Sequence, residues 1–319
     1  MKILITGATG FVGSALITLL SRQGHQLVLV GHQSNTVNAE NFHAVNLADQ
    51  YDWQTLLKGC DVVVHLAARV HVMKETVENA AQAYFKLNVE ATQRLAEQAA
   101  AVGVKRFIYL SSLKVNGECN MAGRAFAEQD TPNPVGPYAQ SKYQAEQVLF
   151  DLAKKSTLEV TVIRPPLVYG PNVRANFQSL LSVVHHQRPL PLAGIQNQRS
   201  YVYVENLVSL IARCLDHPKA ANQCFFVSDA NDLSTPQLIK ACATALGVKA
   251  RLFYLPQGML RWLCQFLGKE DFYQRLCGDL TVDISKTKRL LGWRPPFSVE
   301  AGLAETAKAF KRKSVENKK

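Results

Sequence analysis

The chain has 319 residues, of which 47% are hydrophobic and 19% are charged, and its formal net charge is +11. This composition is that of a globular protein with a sizeable core, which excludes a fibrous or wholly disordered chain. The excess of positive charge forms no basic face interleaved with aromatic residues and no known nucleic-acid module, so we predict no nucleic-acid partner.

Several further classes of site and location do not fit the sequence pattern. The seven cysteines are scattered without a C-x-x-C pair, which is typical of reduced thiols in a cytosol. Histidine, cysteine and carboxylate residues form no cluster with the spacing of metal ligands, so no metal is expected. Glycines interrupt the apolar N-terminus, and no run approaches the roughly 18–20 apolar residues of a membrane span. We therefore predict a cytoplasmic protein without stable membrane insertion.

The first elements of the chain form the feature on which the rest depends. A short apolar run, Ile3–Ile5, is followed by Gly7, Gly10 and Gly13 in the spacing G-x-x-G-x-x-G. Gly7 lets the chain turn sharply, Gly10 lets a phosphate approach the backbone, and Gly13 lets a helix pack closely on a sheet. The unpaired N–H groups at the start of that helix attract an anion. A strand, a glycine turn and a helix in this order predict a dinucleotide site.

Strands and helices alternate through the first half of the chain. Apolar runs predict six strands, at Ile3–Ile5, His25–Val30, Ala44–Val45, Asp61–Leu66, Lys105–Leu110 and Glu159–Arg164. Helices are predicted at Phe11–Gln23, at Val77–Ala101 and from Pro137 onward, with a loop over Leu113–Val135. The alternation predicts an α/β fold with a doubly wound parallel sheet, whose ligands bind beyond the carboxyl ends of the strands.

The pattern becomes irregular after Pro165. It predicts a strand at Ser200–Val204 and helices at Ala175–Gln187, Glu205–Leu215, Thr235–Leu246, Pro256–Leu267, Ser285–Leu291 and Val299–Lys311. We predict a dinucleotide-binding domain of residues 1–165, to which 198–228 return, and a smaller, mostly helical substrate lobe of 166–197 and 229–319. The apolar stripe from Leu260 to Leu267 is predicted to pack in the core rather than against a membrane.

Three residues indicate the chemistry. Tyr138 and Lys142 form Y-x-x-x-K on one face of a predicted helix, and Ser112 follows the fifth strand. A tyrosine has an ordinary pKa near 10, and a neighbouring ammonium is expected to lower that pKa. We predict that Tyr138 moves a proton, that Ser112 binds the same substrate oxygen, and that a nicotinamide moves a hydride.

With these residues the chain resembles the extended short-chain dehydrogenases/reductases, in the sugar-nucleotide epimerase/dehydratase family. The resemblance covers nearly the whole chain and implies a Rossmann-type sheet with a helical substrate-binding lobe. Besides the residues above, it rests on the motifs His65–Ala68, Asn88, Ser111–Ser112, Arg164–Pro171, Arg199–Val204 and Asp283–Lys286.

The resemblance also implies which residues contact the ligands. Cofactor contacts are implied for Gly7, Thr9, Gly10, Phe11, Val12, Gly13, His32, Asn46, Leu47, Leu66, Ala67, Ala68, Asn88, Tyr138, Lys142 and Pro165. Contacts with a UDP-sugar are implied for Ser112, Asn176, Arg199 and Arg275, since an arginine fork suits phosphate oxygens. A homodimer is implied through the helix Val77–Ala101 and the helix that carries Tyr138.

Three departures from the family pattern bear on the reaction. No acidic residue follows the second strand, where Gly31–Ser34 stands, and this favours NADP or dual use over NAD alone. Leu167 occupies the place of the family's usual Asn after the sixth strand, so that substrate contact must differ. Leu113 and Lys114 stand where 4,6-dehydratases have an Asp-Glu pair, which argues against dehydration.

Two reactions at C4 of a UDP-sugar remain, and both use the same Ser/Tyr/Lys set. The missing acid slightly favours a 4-keto-sugar reductase of cell-surface polysaccharide synthesis, with exchangeable NADPH. The alternative is a UDP-glucose or UDP-N-acetylglucosamine 4-epimerase with tightly held NAD. A dinucleotide-binding sensor without catalysis is the remote third possibility. Such proteins commonly lose the Tyr or the Lys, whereas this chain has both Tyr138 and Lys142.

Overall fold

The computed structural model of the protein describes residues 1–32, 41–70, 77–120, 123–268 and 270–316. Its centre is a seven-stranded sheet in the order β3-β2-β1-β4-β5-β6-β9, with all neighbouring strands parallel. The strands are β1 Lys2–Thr6, β2 Gln26–Gly31, β3 Phe42–Ala44, β4 Val62–His65, β5 Arg106–Leu110, β6 Glu159–Arg164 and β9 Gln223–Phe226. A separate pair consists of β7 Leu167–Tyr169 and β8 Tyr201–Tyr203.

Helices lie between and after the strands. Their bounds are α1 Phe11–Arg22, α2 Gln54–Leu57, α3 Val77–Tyr84, α4 Ala91–Ala101, α5 Gly136–Lys155, α6 Ala175–His185, α7 Val204–Cys214, α8 Thr235–Leu246, α9 Gln257–Phe266, α10 Glu270–Cys277, α11 Ser285–Leu291 and α12 Val299–Glu316. Local signals explain several of these bounds. At α8, Ser234 and Gln237 form a capping box, and Gly247 ends the helix in the left-handed conformation.

The sheet is buried on both faces. All four residues of β4 are buried, and so are Ile3, Leu4 and Ile5 of β1. Such continuous apolar strands are typical of parallel sheets that helices cover on both sides. Strand order reverses between β1 and β4, and this reversal is the position at which doubly wound sheets bind ligands. The structure therefore confirms the predicted fold class and places the glycine turn at the reversal.

Some elements differ from the sequence prediction. The predicted helix Val77–Ala101 contains a π-helical turn over Phe85–Glu90, which separates α3 from α4. Strand β9 and helix α10 were not predicted, because both are too short to stand out from the surrounding sequence. Strand β9 pairs with β6 at the edge of the large sheet.

The apolar stripe of α9 also differs from the prediction. Leu260 and Cys264 are buried, whereas Trp262, Leu263 and Phe266 are exposed, as is Leu267 just after the helix. The predicted burial of the whole stripe is therefore wrong, because only one edge of its apolar arc faces the protein. Among the described residues, no helix is long and apolar enough to cross a membrane. No group of His, Cys, Asp or Glu within the same residues has the arrangement of a metal site.

Candidate active site

The glycine turn forms a cradle into which no side chain could fit. Gly7 has a φ of +72°, and a Cβ added there would lie 2.8 Å from the backbone nitrogen of Ala67. A Cβ on Gly10 would lie 3.0 Å from the Gly7 carbonyl oxygen, and one on Gly13 would lie 2.2 Å from the same oxygen. The turn is therefore packed backbone against backbone, between the end of β1 and the start of α1.

The start of α1 can receive an anion. Gly10 is the N-cap residue, no side chain caps the helix, and its first turn, which contains Phe11, Val12 and Gly13, has no acidic residue. The first N–H groups of a helix have no partner within the helix, and the helix dipole adds partial positive charge there. A dinucleotide pyrophosphate fits this end of α1 by both charge and shape.

Neighbouring loops extend the cradle in two directions. On one side, the Leu66 nitrogen donates to the Thr6 carbonyl at 3.2 Å, and the Ala67 nitrogen donates to Thr6 Oγ1 at 3.3 Å. Leu66, Ala67 and Ala68 are partly exposed beside Gly7. On the other side, Thr9 Cγ2 lies 3.2 Å from the position of a Cβ on Gly31, at the end of β2.

The residues that are expected to lie near the adenosine of the dinucleotide cofactor follow β2 and β3. His32 is exposed directly after Gly31, whereas Gln33 and Ser34 lie outside the described residues. The Val45 nitrogen donates to the Gly31 carbonyl at 2.9 Å, which places the exposed Asn46 and the partly exposed Leu47 beside the end of β2. The Asn46 side chain accepts from the Ala48 nitrogen at 3.2 Å, so its oxygen already closes a local turn.

Ser112 and Tyr138 meet at the carboxyl end of β5. Ser112 lies two residues after the end of β5, at the N-cap of the short 3₁₀ turn Leu113–Val115, and its hydroxyl forms a hydrogen bond with Tyr138. Tyr138 lies in the first turn of α5, after the extended residue Val135 and with Pro137 at the helix start. Leu113 donates its N–H to the Pro165 carbonyl at 2.9 Å, so Pro165 supports the segment that carries Ser112.

The pKa of Tyr138 differs from the sequence prediction. Burial raises this pKa from 10.0 to about 12, although the hydrogen bond from Ser112 works in the opposite direction. The predicted lowering by Lys142 is not seen, because the Lys142 ammonium is directed toward the sheet. Lys142 Nζ donates to the Leu110 carbonyl at 2.8 Å and lies 4.6 Å from the centre of the Tyr109 ring.

Lys142 is itself strongly perturbed. The side chain is 2% exposed, and burial lowers its pKa from 10.5 to about 7, although the nearby Glu146 carboxylate favours the charged form. A buried group with a pKa near neutrality, beside a hydrogen-bonded Ser–Tyr pair, is typical of an active site. The geometry thus brings Ser112, Tyr138 and Lys142 together at the carboxyl ends of the strands.

A buried polar cluster below Ser112, Tyr138 and Lys142 was not predicted from the sequence. Glu146 lies one turn after Lys142 and accepts hydrogen bonds from Ser111 Oγ and from the Arg164 guanidinium, whose Nε lies 2.9 Å from Glu146 Oε1. Arg164 also donates to Asn116 Oδ1 at 2.9 Å. Burial alone would lower the pKa of Arg164, but the bond and charge of Glu146 outweigh burial and raise it. The i, i+4 spacing of Lys142 and Glu146 was the available signal.

Asn88, for which the resemblance implies a cofactor contact, forms several hydrogen bonds within the protein. Its side chain is 1% exposed and lies in the π-helical turn. Asn88 Oδ1 accepts from the Arg69 nitrogen at 2.8 Å, while Nδ2 donates to the Arg69 carbonyl at 3.2 Å and to Ser141 Oγ at 3.0 Å. Both amide protons are used within the protein, so these bonds join the loop after β4 to α5, and the cofactor contact of Asn88 stays a prediction.

The residues expected to bind the substrate lie on separate elements. Arg199 donates to the Gly278 carbonyl at 2.8 Å, and burial lowers its pKa against the opposing effect of Tyr201 and nearby carboxylates. Asn176 is exposed in the first turn of α6, and Arg275 is exposed on α10. No hydrogen bond or ion pair within the described ranges joins Asn176 or Arg275 to Arg199.

Comparisons with known proteins agree with this geometry. A sequence model of the NAD-dependent epimerase/dehydratase family matches residues 3–226. The chain is 44% identical to a Vibrio cholerae UDP-glucose 4-epimerase, over 97% of this chain and 95% of that protein. It is 28% identical to an Escherichia coli O157:H7 N-acetyl-α-D-glucosaminyl-diphospho-ditrans,octacis-undecaprenol 4-epimerase, over 96% and 94% of the two chains.

A solved structure shows the same fold. MoeE5 in complex with UDP-glucose and NAD superposes with a TM-score of 0.79 at 25% identity, covering 99% of this chain and 100% of the other. Both relatives found by sequence are named 4-epimerases, so the slight preference for a reductase is not supported. The family match covers more than half of the chain and includes the whole seven-stranded sheet. The chain therefore belongs to the NAD-dependent epimerase/dehydratase family, as an enzyme of the extended short-chain dehydrogenase/reductase type.

Proposed function

We propose that this protein is a UDP-sugar 4-epimerase that works with tightly held NAD. The observation that carries the proposal is the Ser112–Tyr138 hydrogen bond beside the buried Lys142, at the same sheet edge as the glycine turn. The 44% identity to a UDP-glucose 4-epimerase over nearly the full length supports the choice of reaction. UDP-glucose and UDP-N-acetylglucosamine are the two substrates that we propose.

The bound cofactor supplies the hydride acceptor and donor for C4. The pyrophosphate would rest on the turn from Gly7 to Gly13, and Leu66, Ala67 and Ala68 would line the channel beside it. Tyr138 takes the proton of the 4-hydroxyl and returns it after the sugar has turned its other face. Ser112 holds the same substrate oxygen. The hydrogen bond between Ser112 and Tyr138 also favours the phenolate form of Tyr138, against the effect of burial.

Lys142 contributes charge rather than proton transfer. Its ammonium lies at the end of β5, where it donates to the Leu110 carbonyl. Glu146 below it favours the charged form, and Arg164 in turn holds that carboxylate. A protonated Lys142 would place positive charge at the carboxyl end of β5, where the resemblance implies that it contacts the bound cofactor.

NAD rather than NADP is supported by the family and by relatives solved with NAD bound. The absence of an acid after β2 had favoured NADP, but acidic contacts to the ribose are only one means of selecting NAD. An epimerase needs no net supply of reductant, since each oxidation at C4 is followed by a reduction. For that reason a cofactor that stays bound suits the reaction.

The test starts from the protein as purified, without added cofactor. Release by denaturation should yield NAD in near-stoichiometric amount, and UDP-glucose should be converted to UDP-galactose with no net change in absorbance of the reduced cofactor. Parallel assays with UDP-N-acetylglucosamine test the second substrate. An empty protein that consumes NADPH once per keto-sugar would refute the proposal in favour of a reductase.

Replacing the phenol tests the assignment of Tyr138. Tyr138→Phe removes the group that moves the proton, so kcat should fall by ~10²–10⁴-fold. The NAD content should remain that of the unchanged protein, because the ring still packs beside Tyr84, whose centroid is 6.1 Å away. Undiminished turnover in this variant would remove Tyr138 from the mechanism.

The predicted homodimer through the region Val77–Ala101 and α5 remains part of this proposal. Sedimentation velocity of the purified protein at several concentrations tests it. A mass of one chain at every concentration would contradict the dimer without affecting the assignment of the reaction.

A further inference from the structure

Helix α9 and the segment before it expose an unusual set of apolar side chains. The fractional exposure is 78% for Phe266, 71% for Tyr254, and 62% for both Trp262 and Leu267. Globular chains rarely expose contiguous apolar patches of this kind unless the patch contacts another molecule. We call the residues Phe253, Tyr254, Met259, Trp262, Leu263, Phe266 and Leu267 the α9 patch.

The spacing of the residues explains why the patch faces outward. Met259, Trp262, Leu263, Phe266 and Leu267 recur at i, i+3, i+4, i+7 and i+8, which places them on one face of the helix. The buried residues Leu260 and Cys264 lie at one edge of this apolar arc. The helix is therefore apolar over a much wider arc than the protein covers.

The patch is held in place rather than loosely attached. Gln257 Nε2 donates to the Gly194 carbonyl at 3.2 Å at the start of α9. The Phe253 nitrogen donates to the Leu190 carbonyl at 3.0 Å, and the Trp262 and Phe266 rings stack with centroids 5.8 Å apart. A preorganised surface binds without a large ordering cost.

Cations border the apolar residues. Between residues 249 and 275 the chain has five basic and two acidic residues. Lys249 and Arg251 are exposed directly before Phe253. Arg188 is also exposed, and its segment bonds to theirs because the Leu190 nitrogen donates to the Arg251 carbonyl at 2.9 Å. An apolar face rich in Trp, Phe and Leu with Lys and Arg at its border complements the surface of an anionic bilayer.

We propose that the α9 patch docks on the surface of a membrane that contains anionic lipids. Trp, Tyr and Phe side chains enter the boundary between headgroups and acyl chains, and the basic border contacts the lipid phosphates. The attachment that we propose is peripheral, through one face of α9 and the segment before it.

Docking would orient the substrate side of the enzyme. Helix α10 packs against α9, and one carbonyl in its last turn and one just after it accept hydrogen bonds from the segment that contains Arg199. Asn197 Nδ2 donates to the Leu276 carbonyl at 3.1 Å, and Arg199 donates to the Gly278 carbonyl at 2.8 Å. The helix pair that meets the lipid is thus joined to the side of the protein where Arg199 is expected to bind substrate.

The intrinsic fluorescence provides a direct readout with the full chain. Of its three tryptophans, Trp53 and Trp293 are buried at 3% and 6% exposure, and only Trp262 is exposed to solvent. Adding vesicles of phosphatidylcholine and phosphatidylglycerol in equal parts should shift the emission to shorter wavelength and sediment the protein. Vesicles of phosphatidylcholine alone should bind it at least several-fold more weakly.

Matched variants distinguish vesicle binding through the α9 patch from nonspecific binding by exposed apolar residues elsewhere. Phe266→Ser with Leu267→Ser keeps the reporter Trp262 and should weaken vesicle binding by roughly tenfold or more. The control Phe297→Ser with Val102→Ser removes a similar pair of exposed apolar residues, 45% and 37% exposed, from other elements and should bind as the unchanged protein does. Lys249→Gln with Arg251→Gln should weaken binding to anionic vesicles alone.

Three outcomes would overturn the proposal. The first is that the unchanged protein stays in the supernatant with anionic vesicles and keeps its emission spectrum. The control variant could lose as much binding as the patch variant. Alternatively, the patch variant could change the oligomeric state in sedimentation velocity, which would assign the patch to a second copy. Epimerisation of dissolved UDP-glucose should stay unchanged in the patch variant, so this test and that of the proposed function fail independently.

Discussion

Gly13→Ala is the sharpest test of the glycine turn, because only one methyl group is added. Its Cβ would lie 2.2 Å from the Gly7 carbonyl oxygen and 2.9 Å from the Ala8 carbonyl oxygen. Favourable contacts between such atoms lie near 3.5 Å, so α1 must move by about 1 Å away from the turn. The obstacles are backbone atoms, which cannot rotate aside as a flexible side chain would.

The expected magnitude follows from two opposing effects. Overpacking costs about 1–3 kcal/mol or more, while alanine is better than glycine in a helix by roughly 0.5–1 kcal/mol. Because both obstacles are backbone carbonyls, we expect a net loss of ~2 kcal/mol in the free energy of unfolding, or a fall of roughly 3 °C in Tm. The displaced start of α1 should weaken NAD binding by about tenfold or more.

Urea unfolding followed by circular dichroism and titration of the cofactor-free protein with NAD measure both effects. Gly258→Ala is the matched control, since Gly258 lies in α9 and a Cβ there would meet no atom within 4 Å. The control should keep its unfolding midpoint or raise it slightly, and its affinity for NAD should be unchanged. If Gly13→Ala kept the unfolding midpoint and the affinity for NAD as this control does, the close packing of α1 on the glycine turn would not be needed for stability or for NAD binding.

Two further changes test the buried charges. Glu146→Gln leaves the buried Arg164 guanidinium without its carboxylate and should cost about 3 kcal/mol in urea unfolding. Asp151→Asn on the exposed side of the same helix should leave the midpoint unchanged, and an equal loss in the two variants would contradict the buried pair. Lys142→Met removes an ammonium whose pKa burial lowers from 10.5 to about 7. The cost of burying that charge is complete below pH 7 and disappears above 10.5, so the substitution should favour folding of the cofactor-free protein more at pH 6 than at pH 10. Equal effects at both pH values would refute the lowered pKa.

The glycine turn and the first strands were predictable because their signals are local. Ile3–Ile5 with Gly7, Gly10 and Gly13 needs only the order of neighbouring residues to indicate a strand, a turn and a helix. The prediction of β6 at Glu159–Arg164 matches the structure residue for residue, because an apolar run of that length between a helix and a proline is unambiguous. The family resemblance rested on the same kind of short motif.

Partners far apart in sequence were not predictable in the same way. Glu146 and Arg164 are 18 positions apart in sequence, and nothing near either residue indicates that the two would form a buried ion pair. The bonds of Asn88 to Arg69 and Ser141 likewise arise only when three segments of the chain meet. The pKa of Tyr138 likewise depends on burial, which raises it although the sequence shows a lysine one turn away.

Taken alone, the sequence determined the α/β order of elements and the dinucleotide turn, and it predicts Ser112, Tyr138 and Lys142 as the catalytic set. These features follow from spacings of a few residues, which the backbone converts directly into a turn or a helix face. Only the tertiary structure decided which charges are paired below the site and how far α9 is covered. Apolar periodicity shows that a helix has an apolar face, but the packing of neighbouring elements decides how much of that face is buried. That difference separates the buried Leu260 from the exposed Trp262 two positions later.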